Sequence, residues 1–384
     1  MFACGGAFIF YHLGKRRKHF KNFIMQMRTS ICAALLMMLS VMPVLAQAPP
    51  SLAKVFEGKF RFGFGGTFDK IVRESLAQSG SPIRRVVEQQ SNIIGINCFY
   101  PNSIHPKADV WKWETCDQLL AFADLHPEWP RRAHILFWPF NDKANIEWLI
   151  QDNDGKPVSR DEAIKRLRNY IQTVMGRYKG RFQYWDVANE IVDPQERDGM
   201  RQGLWKEVIG KEVIELAFRF AREADPGAKL FYNDFHEWRP AKREQIYKLV
   251  KGLKDKGLID GIGLQSHYTM SEPTPSVLDA AITRYAELGL EIHITELDVE
   301  VNRDKVLTTF PPELAKEQAK RYREIFDVYL KHAGKVTAVM TWNVTDNSSW
   351  LRHRPTEHAT WPLLFDEAGE PKPAFWALAQ PLKK

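Results

Sequence analysis

The chain has 384 residues, 26% of them charged, with a formal net charge of +7 at pH 7. Residues 1–48 hold six Lys or Arg and no Asp or Glu, so the remainder carries 48 basic against 47 acidic residues. The positive balance therefore belongs to the N-terminal segment and gives no reason to expect a nucleic-acid partner.

From Arg28 the sequence passes through an apolar run, Ile31 to Leu45, to small residues at Ala46 and Ala48. That order is the pattern of a secretory signal peptide. The run is shorter than the ~20 residues of a membrane-spanning helix, and Pro43 interrupts it. We expect residues 1–48 to be an extended N-terminus and cleavable signal. We expect residues 49–384 to be a single domain of a secreted or periplasmic bacterial protein, monomeric and without stable membrane association after cleavage.

Eight short apolar runs follow, at 59–65, 93–99, 133–138, 182–188, 229–235, 261–266, 291–296 and 336–342. Between them lie segments with helical spacing. The segment 159–178 opens with Ser159 and Glu162 three residues on, a capping box. The segment 211–227 ends in Pro and Gly, and 311–334 ends in Gly, both stop signals. Eight strands alternating with helices predict a parallel (β/α)8 TIM barrel. No glycine-rich phosphate loop joins a strand to a helix, which weakens the rival reading of an open nucleotide-binding sheet. Cys98 falls in an apolar run, and a buried free thiol is the expectation there, with a bridge to Cys116 as the alternative.

In such a barrel the functional face is the C-terminal end of the strands. Polar and aromatic residues collect there: Trp138 after the third run, Asn189 and Glu190 after the fourth, Asn233 and Asp234 after the fifth. Gln265, Ser266 and His267 follow the sixth, Glu296 and Asp298 the seventh, and Trp342, Asp346 and Trp350 the eighth. One Glu at a strand end is more often solvated than catalytic. Two on opposite sides of a barrel mouth suit cleavage of a glycosidic bond, one as a proton donor and one as a nucleophile. Enclosure by an aromatic strand favours the acid role for Glu190, and a donor at His267 favours an ionised Glu296. Neither an HExxH helix nor a tight His cluster marks a metal site, and no GxSxG elbow marks a serine hydrolase. No cofactor is expected.

These motifs resemble family-10 glycoside hydrolases, the endo-β-1,4-xylanase family, across roughly residues 58–380. "YWDVANEIVD" resembles that family's acid/base motif and "HITELDV" its nucleophile motif. "KLFYNDF", "GIGLQSHY" and "TWNVTDNSSW" resemble its fifth-, sixth- and eighth-strand motifs. The resemblance implies retaining hydrolysis of xylan or xylo-oligosaccharides, with Glu190 as acid/base and Glu296 as nucleophile. It implies that Gln265 and His267 position Glu296, that Asp298 supports His267, and that Asn189, Trp342 and Trp350 shape the sugar site. His134 and Trp138 keep part of the third-strand motif, but Pro139 stands where a second His is usual. Lys107, Ala108 and Asp109 replace a Glu-Asn pair in the second loop, Lys112 and Trp113 keep its Lys-Trp end with a shift of one residue, and Asn343 replaces a Gly. These departures fall on the glycone side and make a decorated xylan, another β-glycan or a plant glycoside the alternative substrates. A non-catalytic carbohydrate-binding barrel is a third reading, which the paired carboxylates oppose.

Overall fold

The eight apolar runs become eight strands: β1 Arg61–Gly65, β2 Ile93–Ile96, β3 Arg131–Ala133, β4 Tyr184–Asn189, β5 Lys229–Asp234, β6 Gly261–Leu264, β7 Glu291–Glu300 and β8 Val336–Trp342. Each is followed by a helix: α1 Pro82–Gln90, α2 Glu114–Ala123, α3 Arg160–Arg177, α4 Glu212–Ala224, α5 Pro240–Asp255, α6 Pro275–Ala286, α7 Pro312–Lys331 and α8 Pro373–Ala379. This computed structural model describes residues 49–67, 69–138, 147–353 and 357–380. The readings placed on the N-terminal 48 residues and on Pro139 lie outside those described.

Successive strands pair in parallel from β1 to β8, and β8 pairs with β1, so the sheet closes. Closure leaves none of these eight strands with an open edge. The strands are buried almost end to end, as parallel strands flanked by helices must be. A short strand, His267–Thr269, extends the sheet beside β7.

The helices start and stop where local chemistry requires. The Ser159 side chain accepts the Glu162 amide at the start of α3, and Glu162 pairs with Arg166 one turn on. Such caps contribute about 1 kcal/mol. Beyond α4, Asp225 closes the Pro226–Gly227 turn by accepting the Gly180 and Gly227 amides. The inner face of α4 buries Val213, Ala217, Phe218 and Phe220 against the barrel.

One expectation is corrected. Cys98 and Cys116 are joined as a disulfide. The crossover from β2 sets the first turn of α2 beside the end of the strand it came from, with the two Cα atoms 5.4 Å apart, inside the range a bridge requires. Among the described residues no helix is long and apolar enough to cross a membrane.

Candidate active site

Strand β4 ends at Asn189, and Glu190 then takes a left-handed backbone conformation, φ 56°. A non-glycine residue pays about 1–3 kcal/mol for this geometry unless its surroundings impose it. They do: the Glu190 amide donates to the Asn233 carbonyl at 3.0 Å. The amides of Ile191 and Val192 donate to the Tyr232 hydroxyl at 3.1 and 3.2 Å. That hydroxyl donates in turn to Asp234, whose other oxygen is held by buried Lys242 at 2.7 Å. The end of β5 thus fixes the turn that carries Glu190.

The carboxyl of Glu190 has two donors. Trp138 Nε1 donates to one oxygen at 3.1 Å and Gln265 Nε2 to the other at 2.9 Å. Burial raises its pKa, as does repulsion from Asp234 and Glu296, while the Gln265 hydrogen bond and the Arg201 charge work against the rise. Its environment therefore favours the protonated form.

Glu296 lies within β7 and is 4% exposed. Asn233 Nδ2 donates to Oε1 at 2.7 Å, and His267 Nε2 lies 3.2 Å from Oε2. The other ring nitrogen of His267 is 2.9 Å from Asp298, which also accepts from Trp350 Nε1 at 2.8 Å. Burial opposes charge on His267, but Asp298 and then Glu296 overcome it and push its pKa up to about 10. An imidazolium therefore sits against Glu296 at neutral pH.

Asn189 links the two halves. Its Oδ1 accepts from Asn233 at 2.9 Å and from Gln265 at 3.2 Å. Thr295 fixes Asn233 from behind, donating to its Oδ1 at 2.7 Å. Asn233 thus bridges Asn189 and Glu296, whereas Gln265 turns to Glu190 and Asn189. This differs from the expectation that Gln265 serves Glu296. From just beyond β6 its side chain reaches past β5 to the end of β4.

His134 lies beneath this layer, 2.9 Å from buried Asp186, with its ring 5.5 Å from that of Trp342. Arg132 also pairs with Asp186 and contacts His293 at 2.9 Å. Burial opposes ionisation of Asp186, but Arg132 and His134 outweigh it and hold the pKa below the ordinary value. Sequence reasoning left out Asp186, Arg132 and His293; the signal available was a charge inside an otherwise apolar strand run. Asn343 adopts φ 81° and packs against Gly66, where a Cβ would collide with the Asn343 amide.

Lys112 and Trp113 are not gathered with the carboxylates. Trp113 is the N-cap of α2. It stacks on Trp111 at 4.9 Å, with the Arg177 guanidinium 4.8 Å from its ring, at the C-terminal end of α3. Lys112 is exposed, and its amide donates to the Ile104 carbonyl. Asp346 is buried apart from the mouth in an ion pair with Lys372 at 2.8 Å. Among the described residues no group of three His, Cys, Asp or Glu is arranged to hold a metal ion.

A carboxyl biased toward its protonated form, facing a carboxylate beside an imidazolium, can give a proton on one side of a bound group and attack on the other. Comparisons with known proteins show which family this barrel is similar to. Endo-1,4-beta-xylanase A of Thermotoga neapolitana is 42% identical over 274 residues, 71% of this chain, and the chain spans a quarter of that protein's length. Endo-1,4-beta-xylanase B of Paenibacillus barcinonensis is 34% identical over 335 residues, covering 86% of this chain and 97% of that one. The crystal structure of xylanase XynB from Paenibacillus barcinonensis, complexed with a conduramine derivative, superposes with a TM-score of 0.78 at 32% identity. It covers 87% of this chain and 99% of that one. The family model described as Glycosyl hydrolase family 10 matches residues 51–381. With that match along nearly all of the barrel, the chain belongs to glycosyl hydrolase family 10.

Proposed function

We propose that the chain is a secreted endo-β-1,4-xylanase that cleaves xylan or xylo-oligosaccharides with retention of configuration. The observation that carries this reading is the opposed environment of two convergent carboxyl groups. Glu190 is enclosed and pushed toward its protonated form, and Glu296 is contacted by the charged ring of His267.

In the first step Glu296 attacks the anomeric carbon while Glu190 gives its proton to the departing glycosidic oxygen. A covalent glycosyl ester forms on Glu296, and the rest of the glycan leaves with a free hydroxyl. In the second step Glu190, now ionised, takes a proton from water. The hydroxide equivalent displaces Glu296 and restores both side chains. Because Asn189 Oδ1 is occupied by two donors, its amide nitrogen is the group free to donate to a sugar hydroxyl beside the reacting carbon. Trp342 and Trp350 form apolar walls for the ring, and Trp350 also orients Asp298. Asn233 joins Asn189 and Glu296 as a positioning residue.

The test is hydrolysis of xylan, arabinoxylan, glucuronoxylan, glucan and aryl xylobioside, with products resolved by size and Glu296→Ala as control. Short xylo-oligosaccharides from xylan, absent with the variant, support the proposal. Cleavage of glucan alone, or cleavage that survives in Glu296→Ala, overturns it. Export is tested separately by sequencing the N-terminus of protein recovered outside the cytoplasm, which should begin after Ala46 or Ala48.

A further inference from the structure

The rim beyond Glu190 is rich in cations that the internal carboxylates do not consume. Asp234 already has Lys242 at 2.7 Å, and Glu296 and Asp298 share His267. Arg201, Arg239 and Arg303 lie on the loops that follow β4, β5 and β7. Arg201 lays its guanidinium over the Phe235 ring at 5.1 Å, and its buried Nε has no hydrogen-bond partner. Its charge acts directly on Glu190. Arg239 lies over the Trp238 ring at 4.9 Å, and its ion pair, with Glu272, is a long one of 3.8 Å between half-exposed side chains. Arg303 is exposed and, like Arg239, acts on His236.

His236 is the centre of this group. It takes a left-handed backbone conformation, φ 51°, and its ring packs 4.9 Å from Phe235 and 6.2 Å from Trp238. Burial first, then the charges of Arg239, Lys242, His267 and Arg303, lower its pKa to about 4. At neutral pH it is therefore an uncharged hydrogen-bonding ring in a positive field. Glu300 is the acidic counterweight near Arg303, and burial biases it toward its protonated form. Guanidinium groups held on the Phe235 and Trp238 rings beside an uncharged imidazole suit the carboxylate of a sugar.

We propose that the rim formed by Arg201, His236, Arg239 and Arg303 binds the carboxylate of a uronic-acid side group on the glycan, so that the preferred substrate is an acidic, decorated β-glycan. This rests on the proposed xylanase reading and deepens it. It places a determinant of decoration on the β4, β5 and β7 loops, apart from the altered second- and third-strand loops.

The test compares three oligosaccharides of equal backbone length: a neutral xylo-oligosaccharide, one bearing a glucuronate side group, and the same compound with its carboxyl group reduced to the alcohol. For the wild-type enzyme kcat/KM on the uronate compound should exceed that on its carboxyl-reduced form by tenfold or more at low salt. The ratio should shrink as salt is added. In the Arg239→Gln/Arg303→Gln double variant the ratio should fall toward one. A wild-type ratio near one, with all three compounds cleaved, overturns this proposal and leaves the xylanase reading standing. A high ratio that survives in the double variant overturns the placement. Failure to cleave any of the three overturns both readings.

Discussion

Replacing His267 with Gln removes the charge between Glu296 and Asp298 while keeping a neutral donor. Folding raises the His267 pKa from 6.5 to about 10, and at 1.36 kcal/mol per unit the full shift is worth about 5 kcal/mol. The side chain is 18% exposed and shares its charge with two carboxylates, so solvent screening reduces the figure to roughly 2–4 kcal/mol. A pKa raised by folding contributes stability that is fully present below pH 6.5 and is lost as pH rises through about 10. The gap between wild type and His267→Gln in urea unfolding should thus be widest near pH 6. It should narrow steadily toward pH 10, where the wild-type ring itself loses its proton. An equal gap at both ends of that range, or none at pH 6, would refute the argument that His267 is a charged bridge.

Glu190→Ala should cost polymer hydrolysis about 10²–10⁴-fold and aryl glycosides with good leaving groups far less, because those need little protonation. Equal losses on both would contradict the acid role. Tyr232→Phe strips the acceptor from the Ile191 and Val192 amides. Each unmet buried donor costs about 1–3 kcal/mol, so kcat should fall tenfold or more with KM nearly constant, and steady-state kinetics at unchanged pH would show otherwise if the turn holds by itself. Replacing both Cys98 and Cys116 with Ala opens a bridge across a sequence separation of 18. It should lower stability by roughly 2–3 kcal/mol, measured by urea unfolding, and thiol titration of the unfolded wild type should find no free thiol at these two positions.

The barrel was legible because its signals are local and repeated. Apolar runs of strand length alternate with helical spacing, and stop signals such as Pro226 and Gly227 fall where α4 ends. The rim was legible because strand ends are fixed by the same pattern, and the structure brings Asn189, Glu190, Gln265, His267, Glu296 and Asp298 into one hydrogen-bonded layer. What the pattern lacks is pairing. Gln265 could serve either carboxyl group, and only the folded barrel shows that it reaches past β5 to Asn189 and Glu190. Asn233 stood on the rim, but its bridge from Asn189 to Glu296 depends on barrel curvature that no linear spacing encodes. Lys112 and Trp113 are legible only as the end of a shifted motif, and the start of α2 sets Trp113 between Trp111 and Arg177. The disulfide was the alternative and not the expectation because an apolar run around Cys98 favours a buried thiol until the crossover geometry is known.

The most direct test of the central claim is proton NMR of the reducing sugar released in the first minutes of xylo-oligosaccharide hydrolysis, before mutarotation mixes the anomers. Double displacement through Glu296, with Glu190 as acid and then base, yields the β-anomer first. The α-anomer as first product would mean that water, and not Glu296, attacks the sugar.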